Sequence, residues 1–416
     1  MINPPLLQGE GVGGEVNKKL LILYIVAFVD MVGLVMLLPL LPFYATDFGA
    51  SATVVGLLVS AFSVAQLLSS PAWGRFSDNE GRRPAILAGL WISAIAYVVF
   101  AFAGSIWMLL ISRIVQGLGG GTIGVVQAYV ADASEPEERT KALGWTSAVT
   151  SLGAVAGPAF GSFLADHGGQ RAPGFASAVL CMLVSLFAWR YLREAKELRQ
   201  SKSIPQPLLP GSGRAAVWGV VSRSGEPTSR LIWIYTIAIG AFYGTTPTVP
   251  LLLSERFAGI TERTIGYVIM YLGGIGVVVR AFVLGKIVDV MGEARLSRLG
   301  LALLAAGLVA ISAAQSYPAL FLALTLMPLG TAFLFPCVTG LLSRVVPGSE
   351  RGLFLGVQQT FGGLSRVAFP IAAGFLMDHF GRATPFWVSG LLVAATLLLT
   401  GRMETYIARP VKPVTA

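Results

Sequence analysis

The sequence predicts an all-α integral membrane protein with twelve transmembrane helices in two pseudo-symmetric six-helix halves. Three observations predict this fold class: the composition, twelve long apolar runs and an internal repeat. Of the 416 residues, 55% are hydrophobic and 12% are charged, and the mean hydropathy is +0.73. Soluble domains carry roughly 25% charged residues, so this composition favours a chain that lies largely in lipid.

Twelve apolar runs approach the length of about 20 residues that a helix needs to cross a bilayer. The runs of the first half are Leu21–Tyr44, Thr53–Trp73, Pro84–Ala103, Ile106–Ala131, Ala142–Leu164 and Pro173–Leu192. The runs of the second half are Leu231–Leu253, Ile265–Val288, Leu296–Ala314, Pro318–Leu342, Gly352–Met377 and Pro385–Leu399. The first run is too long for the core of a cleavable signal peptide, so we expect it to remain as a membrane span.

Positive charges concentrate at alternate ends of these runs. With the N-terminus inside, the outer loops hold little beyond Arg171, Arg256, Arg263 and Arg382. The inner segments hold many more, namely Lys18, Lys19, Arg75, Arg82, Arg83, Arg139, Lys141, Arg193, Lys196, Arg295, Arg298, Arg351, Arg402 and Arg409. Because short cytoplasmic loops accumulate lysine and arginine, both termini are predicted to be cytoplasmic, in a multi-pass protein of the plasma or inner membrane. The same bias explains most of the +9 net charge without nucleic acid.

The longest loop divides the chain into two halves. Its second part, "SIPQPLLPGSGRAAVWGVVSRSGEPTS", is rich in proline, glycine and serine, a composition that favours a flexible linker. The predicted organisation is therefore a cytoplasmic tail at 1–20, a six-helix bundle at 21–192, a cytoplasmic linker at 193–230, a second bundle at 231–403 and a cytoplasmic tail at 404–416.

The two halves repeat one another in sequence. The spacing Gly74-xxx-Asp78-xx-Gly81 returns as Gly285-xxx-Asp289-xx-Gly292, a shift of 211 residues. The stretches "EERTKALG" and "FLADHGG" return as "SERGLFLG" and "FLMDHFG", both shifted by 212 residues. A fixed shift indicates internal duplication, and two parallel six-span halves with a site at their interface are typical of one class of membrane transporter.

Four ionisable residues fall within the predicted spans, where charge is costly and usually functional. Asp30 is the one carboxylate that we place deep in a span, and Arg113, Arg280 and Arg366 are the arginines. Burial disfavours the charged form of a carboxyl group, whereas a nearby arginine favours it. Asp30 is therefore interpreted as a proton-coupling group, with a permanent ion pair to Arg113 as the alternative. Arg280 is placed near the inner end, where it can snorkel to the headgroups, and Arg366 is open to either interpretation.

The chain offers no set of residues for catalysis. A nucleophile with a base and an acid, a phosphate-binding loop and histidine or cysteine clusters of metal-ligand spacing are all missing from the sequence. Cys181 and Cys337 lie inside apolar runs and suggest no disulfide framework. We therefore expect neither an enzyme nor a resident cofactor or metal.

Four motifs in order along the chain resemble those of the major facilitator superfamily. "WGRFSDNEGRRP" resembles its loop signature G-x-x-x-D-x-x-G-R-R, and "ISRIVQGLGGG" resembles the fourth-span motif R-x-x-Q-G. "GAVAGPAFGS" resembles the fifth-span antiporter motif, with Ser162 in place of the final glycine, and "GLVMLLPLLP" resembles the first-span pattern of twelve-span drug:proton antiporters. The residues that carry the first three motifs are Gly74, Asp78, Gly81, Arg82, Arg83, Arg113, Gln116, Gly117, Gly153, Gly157, Pro158 and Gly161.

The resemblance implies a latch at the inner ends of the spans. It implies that Asp78 meets the N-terminus of the eleventh span near Gly352, where the helix dipole favours an anion. It also implies that Arg82 reaches Asp132. Gly74 is expected to let helices approach closely, and Asp289 is the counterpart of Asp78 in the second half. We place these groups in an inner loop, where they gate transport rather than bind substrate. The alternative is a solvated turn that follows the positive-inside rule.

The resemblance also implies a function, the export of small amphipathic compounds in exchange for protons, similar to tetracycline efflux. Asp30 and Arg113 then carry the coupling, and the partners are an organic substrate, protons and the lipid bilayer, with no nucleic acid and the protein as a monomer. The alternatives are a facilitator or symporter of another solute and a non-transporting receptor. A neutral, zwitterionic or weakly anionic substrate is favoured over a permanent cation, because the spans hold three arginines and one aspartate, and little negative charge remains if Arg113 pairs with Asp30. Packing is the alternative role for each candidate cavity residue: Gln116, Gln127, Tyr243, Tyr271, Phe333, Gln358, Gln359, Phe361 and Arg366.

Overall fold

The computed structural model describes residues 13–120, 122–134, 138–192, 212–348, 350–401 and 403–406. All regular elements within these ranges are helical, as predicted. The first twelve residues of the predicted N-terminal tail, the first part of the predicted linker at 193–211 and residues 407–416 of the C-terminal tail lie outside the described residues.

Seventeen α-helices follow one another along the described chain. Those before the linker are α1 (Gly13–Met36), α2 (Leu41–Asp47), α3 (Ala52–Asn79), α4 (Arg82–Ala101), α5 (Ile106–Gly119), α6 (Thr122–Asp132), α7 (Arg139–Gly168) and α8 (Ala172–Tyr191). Those that follow residue 211 are α9 (Ser212–Ser222), α10 (Pro227–Thr245), α11 (Val249–Arg256), α12 (Ile265–Val278), α13 (Leu284–Met291), α14 (Glu293–Ala313), α15 (Tyr317–Val345), α16 (Arg351–Phe380) and α17 (Thr384–Ala395). A π-helical segment, Val279–Val283, joins α12 to α13.

Eleven helical stretches of the described chain are long and apolar enough to cross a membrane. They coincide with the first eleven predicted runs, and each of their bounds lies within six residues of the predicted one. The twelfth predicted run corresponds to a shorter apolar helix, Thr384–Thr400, so the count of twelve spans stays a prediction. Hydropathy locates these segments well, because a helix that crosses the bilayer needs about 20 mostly apolar residues.

Part of the predicted linker is a helix rather than a flexible coil. Helix α9 occupies Ser212–Ser222, and α10 begins at Pro227, four residues before the predicted span. Trp233 of α10 donates from Nε1 to the backbone oxygen of Val220 at 3.4 Å, which holds α9 against α10. The proline, glycine and serine content of the whole stretch predicted a coil. Within it, "GRAAVWGVV" consists of residues that, apart from glycine, are compatible with a helix.

The chain separates into two compact units. One comprises Met1–Leu40 and Ala61–Ile204, and the other comprises Leu41–Ser60 and Pro205–Ala416. Helix α3 therefore begins in the second unit and ends in the first. The predicted bundle at 21–192 differs from the first unit in this respect, because the sequence of an apolar run does not say which helices pack against it.

Each unit repeats the same set of helix pairs. In the first unit α1 packs against α7, while α4 packs against α5 and α8. In the second unit α10 packs against α16, while α14 packs against α15 and α17. These pairs correspond one to one under the shift of about 212 residues, so the duplication seen in the sequence is also present in the packing.

The start of α3 is fixed within the second unit by α16. Asp378 of α16 accepts hydrogen bonds from the backbone N–H groups of Ala52 at 2.9 Å and Thr53 at 2.8 Å, and from the Thr53 hydroxyl at 2.5 Å. A carboxylate in this position satisfies N–H groups that have no partner in the helix and faces the positive end of its dipole. Asp378 is thus the N-terminal cap of α3, supplied by a distant part of the chain.

Candidate functional site

Asp30 lies in the first span and faces a cavity of about 140 Å³ in the first unit. Helix α1 contributes Asp30, α6 contributes Gln127, and α7 contributes the side chains of Thr146, Thr150 and Ser151, among others. Asp30 is half-buried and forms no ion pair or hydrogen bond among the described residues. The cavity therefore presents a carboxyl group together with hydroxyl and amide oxygens.

The hydroxyl groups of α7 offer the cavity acceptors rather than donors. Thr146 donates to the backbone oxygen of Ala142 at 3.0 Å, Thr150 to that of Thr146 at 2.7 Å, and Ser151 to that of Ser147 at 2.9 Å. A hydroxyl group has one donor and two acceptor lone pairs, so each of these oxygens has acceptor capacity left. Together with the Asp30 carboxylate they form a surface that suits protons, water or another donor-rich species.

The ion pair between Asp30 and Arg113, which the sequence left open as the alternative to proton coupling, is not present in the described part of the chain. Arg113 is 2% exposed, and its guanidinium lies 5.1 Å from the ring centroid of Phe100 on α4, with Nε and Nη2 lacking protein partners. Its neighbour Gln116 donates to the hydroxyl of Tyr97 at 3.0 Å. Arg113 thus points toward α4, whereas Asp30 points toward α6 and α7, and motif spacing does not reveal this difference.

Tyr97 connects the surroundings of the two charges. Its hydroxyl lies 3.1 Å from where a Cβ atom on Gly33 would be, one turn beyond Asp30 on α1. It is also within electrostatic range of both Asp30 and Arg113. The Tyr97 hydroxyl thus lies next to α1 near Asp30 and is hydrogen-bonded to α5 near Arg113.

The glycines of the antiporter motif place Asp30 against the hydroxyl groups of α7. A Cβ atom on Gly153 would lie 2.7 Å from the Phe28 backbone oxygen, and one on Gly157 would lie 2.8 Å from the Val32 backbone oxygen. These contacts lie on either side of Asp30 along α1. Close packing of α1 on α7, which small residues allow, thus determines what Asp30 faces.

Arg82 forms a compact polar network at the ends of α3, α4 and α6. Its guanidinium lies 2.9 Å from Asp78 and 3.1 Å from Asp132, and it donates to the hydroxyl of Ser77 at 2.8 Å. The contact with Asp132 is the one that the family resemblance implies. Asp78 is on the last turn of α3 rather than in a loop, because the helix continues to Asn79.

The connection after Asp78 is short and ends at a glycine. Gly81 has φ +117°, and its counterpart Gly292 has φ +75°, conformations that favour glycine over other residues. A Cβ atom on Gly74 would meet no heavy atom within 4 Å among the described residues. Close helix approach, the role expected of Gly74, is therefore not what this structure shows there.

In the second unit, the polar candidates gather where α10 meets α16. The guanidinium of Arg366 lies 5.9 Å from the ring centroid of Tyr243. About two turns earlier on the same helices, Gln359 donates to the hydroxyl of Tyr235 at 3.4 Å. Gln358 is fully buried and accepts from Thr339 at 3.3 Å, while its amide nitrogen has no protein partner.

Other candidate residues lie in different surroundings. Tyr271 shares a hydrogen bond of 2.8 Å with Thr325, and buried Phe361 packs edge-on against Trp233 at 5.5 Å. Phe333 belongs to a buried cluster with Leu296 and other apolar residues. The exposed Asp289 forms no ion pair among the described residues. A role in binding stays a prediction for Tyr271, whose hydroxyl bonds to Thr325, and for Phe361, whose ring packs on Trp233.

The hydroxyl groups around Asp30 were missed at the sequence level. They lie in "WTSAVTS" at positions i, i+1, i+4 and i+5, which share one face of a helix. That spacing was visible, but serine and threonine are tolerated in membrane helices for many reasons. Tyr97 gave no comparable signal, because a single tyrosine in an apolar run is common.

The chain has many apolar spans in two duplicated helical units, and a few of these spans contain a charged side chain. This combination is typical of a multi-pass membrane transporter. A family model described as Major Facilitator Superfamily matches residues 23–295 and 231–413. These matches cover most of the chain, so the protein belongs to the major facilitator superfamily. This membership places it among transporters rather than enzymes.

Relatives of known name match along most of the chain. Multidrug resistance protein 2 of Bacillus subtilis (strain 168) is 28% identical over 378 residues, which cover 90% of this chain and 92% of that protein. Tetracycline resistance protein, class B, of Escherichia coli is 26% identical over 380 residues, which cover 89% of this chain and 90% of that protein. The crystal structure of the human organic anion transporter MFSD10 (TETRAN) matches with a TM-score of 0.67 and 24% identity, over 96% of this chain and all of that one. The last likeness shows the fold.

Proposed function

We propose that the protein is a proton-coupled antiporter that exports small amphipathic organic molecules from the cell. The observation that carries the proposal is the Asp30 carboxyl group, which lies in a membrane span and faces an oxygen-lined cavity without an ion-pair partner among the described residues. The names of the relatives, multidrug resistance and tetracycline resistance, support drugs as substrates. Antibiotic resistance is then the expected phenotype.

Asp30 couples the two fluxes by binding either a proton or the substrate. A charged carboxylate in a span is costly. It is stabilised either by a proton or by a donor group of the substrate, and the two alternate during the cycle. In one cycle a carboxylate oxygen of Asp30 takes up one proton from the outside and releases it inside, while one substrate molecule leaves. The α7 oxygens hold the water that carries this proton.

The remaining roles follow from the family resemblance. Asp78, Arg82, Asp132 and Asp289 gate the inner side, and the two bundles at 21–192 and 231–403 alternate access around the site. The linker at 193–230 and both termini are cytoplasmic, and a single chain is the working unit. The Arg82 network supports the gating role, because it ties the ends of three helices with one side chain.

Transport by the purified protein in liposomes with an imposed pH gradient tests the proposal. With tetracycline as the fluorescent probe, the wild-type protein should move it against its gradient only while the pH gradient lasts. Asp30→Asn removes the titrating group and keeps the side-chain volume, so it should abolish uphill transport. Equilibrium binding of the probe should remain measurable in the variant.

Two matched variants sharpen this test. Asp30→Glu keeps a carboxyl group and should retain part of the pH-driven transport. Glu226→Gln neutralises an exposed carboxylate at the start of α10 and should transport like the wild type. Undiminished pH-driven transport by Asp30→Asn would contradict the assignment.

A further inference from the structure

Two arginines of the second unit lie within membrane spans. Arg280 is eleven residues from the nearer end of Ile265–Met291, and Arg366 is fourteen residues from the nearer end of Arg351–Phe380. At 1.5 Å per residue these separations are about 16 Å and about 21 Å. Lys286 and Asp289 lie between Arg280 and Met291 on the same helix, so the placement of Arg280 near the inner end stays a prediction. A single side chain is too short to bring the Arg366 guanidinium from its position to either end of its helix.

Neither guanidinium has a carboxylate partner among the described residues. Arg366 is half-buried and lies over the ring of Tyr243 at 5.9 Å. The Tyr243 phenol also acts electrostatically on Arg280, whose side chain is exposed on its helix. Two cations within spans and without an acid partner in the described chain are costly, and an anionic ligand would offset that cost.

The side chains nearby also supply donors. Gln359 lies seven residues before Arg366, hence on the same face of α16, and its amide nitrogen reaches Tyr235. The Gln358 amide nitrogen is buried and has no protein partner. Guanidinium groups are donors with no acceptor atoms, and their planar fork suits two oxygens of one carboxylate. The region therefore offers positive charge and N–H groups, in contrast to the acceptor-rich cavity at Asp30.

The backbone at Arg280 adds an independent indication of function. Val279–Val283 is a π-helical segment between α12 and α13. Such segments are rare and occur frequently at functional sites, because they displace a side chain from its regular position on the helix. Here the displaced turn contains the arginine.

We propose that Arg366, together with Tyr243 and Arg280, binds the carboxylate of an amphipathic substrate. This arginine pair rests on the proposed function, since it presumes that the protein transports an organic molecule. A lipid headgroup is not the expected ligand, because Arg366 lies about 21 Å from the nearer end of its helix. The Phe242 ring, 5.4 Å from that of Tyr243 and perpendicular to it, provides an apolar surface for the rest of the molecule.

Equilibrium binding of two matched probes to the full-length protein in nanodiscs tests this assignment. Dansylglycine carries a carboxylate, and dansylglycinamide has the same fluorophore with a neutral amide. The wild-type protein should bind the acid at least about tenfold more tightly, the effect expected of charge-assisted hydrogen bonds. Arg280→Gln and Arg366→Gln should each remove most of that preference and leave the affinity for the amide unchanged.

Two further variants separate the arginine pair from general charge. Arg366→Lys keeps the charge without the fork and should restore part of the preference. Arg295→Gln removes one positive charge from an exposed ion pair with Glu404 and should leave the preference intact. Equal affinities for the two probes in the wild type, or no saturable binding of the acid, would overturn the proposal even if the arginine variants do not fold.

The outcome is separable from that of the proposed function. Binding is measured without a pH gradient, so a protein that prefers the acid but shows no pH-driven transport retains the arginine pair and loses the antiport. A protein that transports neutral probes with the pH gradient but lacks the preference retains the antiport and loses the arginine pair.

Discussion

Arg82 shows how one side chain can hold three helix ends. It leaves the first turn of α4 and contacts Asp78 at the end of α3 and Asp132 at the end of α6. Its side chain is 14% exposed, so solvent screens these contacts less than it screens surface ion pairs. Without Arg82 the two carboxylates would lose the cation that they share.

Arg82→Ala should therefore slow transport and leave substrate affinity nearly unchanged. Hydrogen bonds to charged groups contribute about 1.5–3 kcal/mol each, so a loss of tenfold or more in rate is expected in the liposome assay. Arg75→Ala is the matched control, because Arg75 is exposed and near the same helix end. A large loss of affinity at unchanged rate would assign Arg82 to binding instead of gating.

Single residues mark the limit of prediction from the sequence. Charge in an apolar run identifies Asp30, and a motif implies the contact of Arg82 with Asp132. Arg113 contacts the Phe100 ring instead of Asp30, because its partner depends on which way α5 is rotated. The hydroxyl oxygens around Asp30 depend on the register of α1 against α7, which hydropathy does not contain.

At the scale of helices, one close contact within each unit joins a small and a large residue, and the two residues have exchanged helices between the units. In the first unit, Gly157 of α7 packs on Val32 of α1. In the second unit, the counterpart of Gly157 is Phe369 on α16, and it packs on Gly244 of α10, the counterpart of Val32. Both pairs are related by 212 residues, so the duplicated interface is kept while the glycine changes helix.

One added methyl group tests the α1–α7 interface. Gly161→Ala would place a Cβ atom 2.3 Å from the backbone oxygen of Met36, which cannot move without shifting α1. Overpacking of this kind costs about 1–3 kcal/mol, so the thermal unfolding midpoint should fall. Gly144→Ala on the same helix meets no atom within 4 Å in the described chain and should leave the midpoint unchanged or raise it, since alanine favours helix.

Only Gly161→Ala should lower the unfolding midpoint, so the two outcomes are easily distinguished. Equal midpoints for Gly161→Ala and Gly144→Ala would mean that α1 yields freely at Met36. The antiporter motif would then not determine how Asp30 faces α7.

The cap on α3 makes a separate prediction. Asp378→Ala removes three hydrogen bonds from the first turn of α3, and losing a helix cap costs about 1 kcal/mol. Hydrogen exchange of the amides of Ala52 and Thr53 should accelerate, and the unfolding midpoint should fall. Asp289→Ala, at an exposed acidic residue near the end of α13, should change neither. Unaltered exchange in Asp378→Ala would show that packing alone holds this helix start.

Over the whole molecule, duplication was the most informative feature of the sequence. It predicted two helical units with corresponding helix pairs, and the packing agrees. It did not predict that residues 41–60 belong with the second unit. That assignment comes from close contacts of the first half of α3 with α16, which depend on glycine positions in three dimensions rather than on the repeat itself.

The packing of α3 on α16 predicts how the protein behaves when it is divided. A cut after residue 204 leaves α16 on one fragment and Ala52–Ser60 on the other. The helices are tightly packed here: a Cβ atom on Gly56 would lie 2.2 Å from the backbone oxygen of Pro370, and one on Gly374 would lie 2.2 Å from that of Ala52. Ser60 also donates to the backbone oxygen of Val367 at 2.7 Å. The fragment 205–416 alone therefore lacks a helix that its own packing requires.

Coexpression of fragments 1–204 and 205–416 should restore drug export, whereas either fragment alone should give none and fragment 205–416 alone should accumulate poorly in the membrane. Gly56→Leu in fragment 1–204 provides the matched test, because a leucine side chain cannot fit against the Pro370 backbone. It should prevent the rescue, while Gly104→Leu, whose Cβ position has open space around it in the described chain, should permit it. Equal membrane levels of fragment 205–416 with and without its partner would show that lipid replaces α3, and that this helix start is dispensable for the second unit.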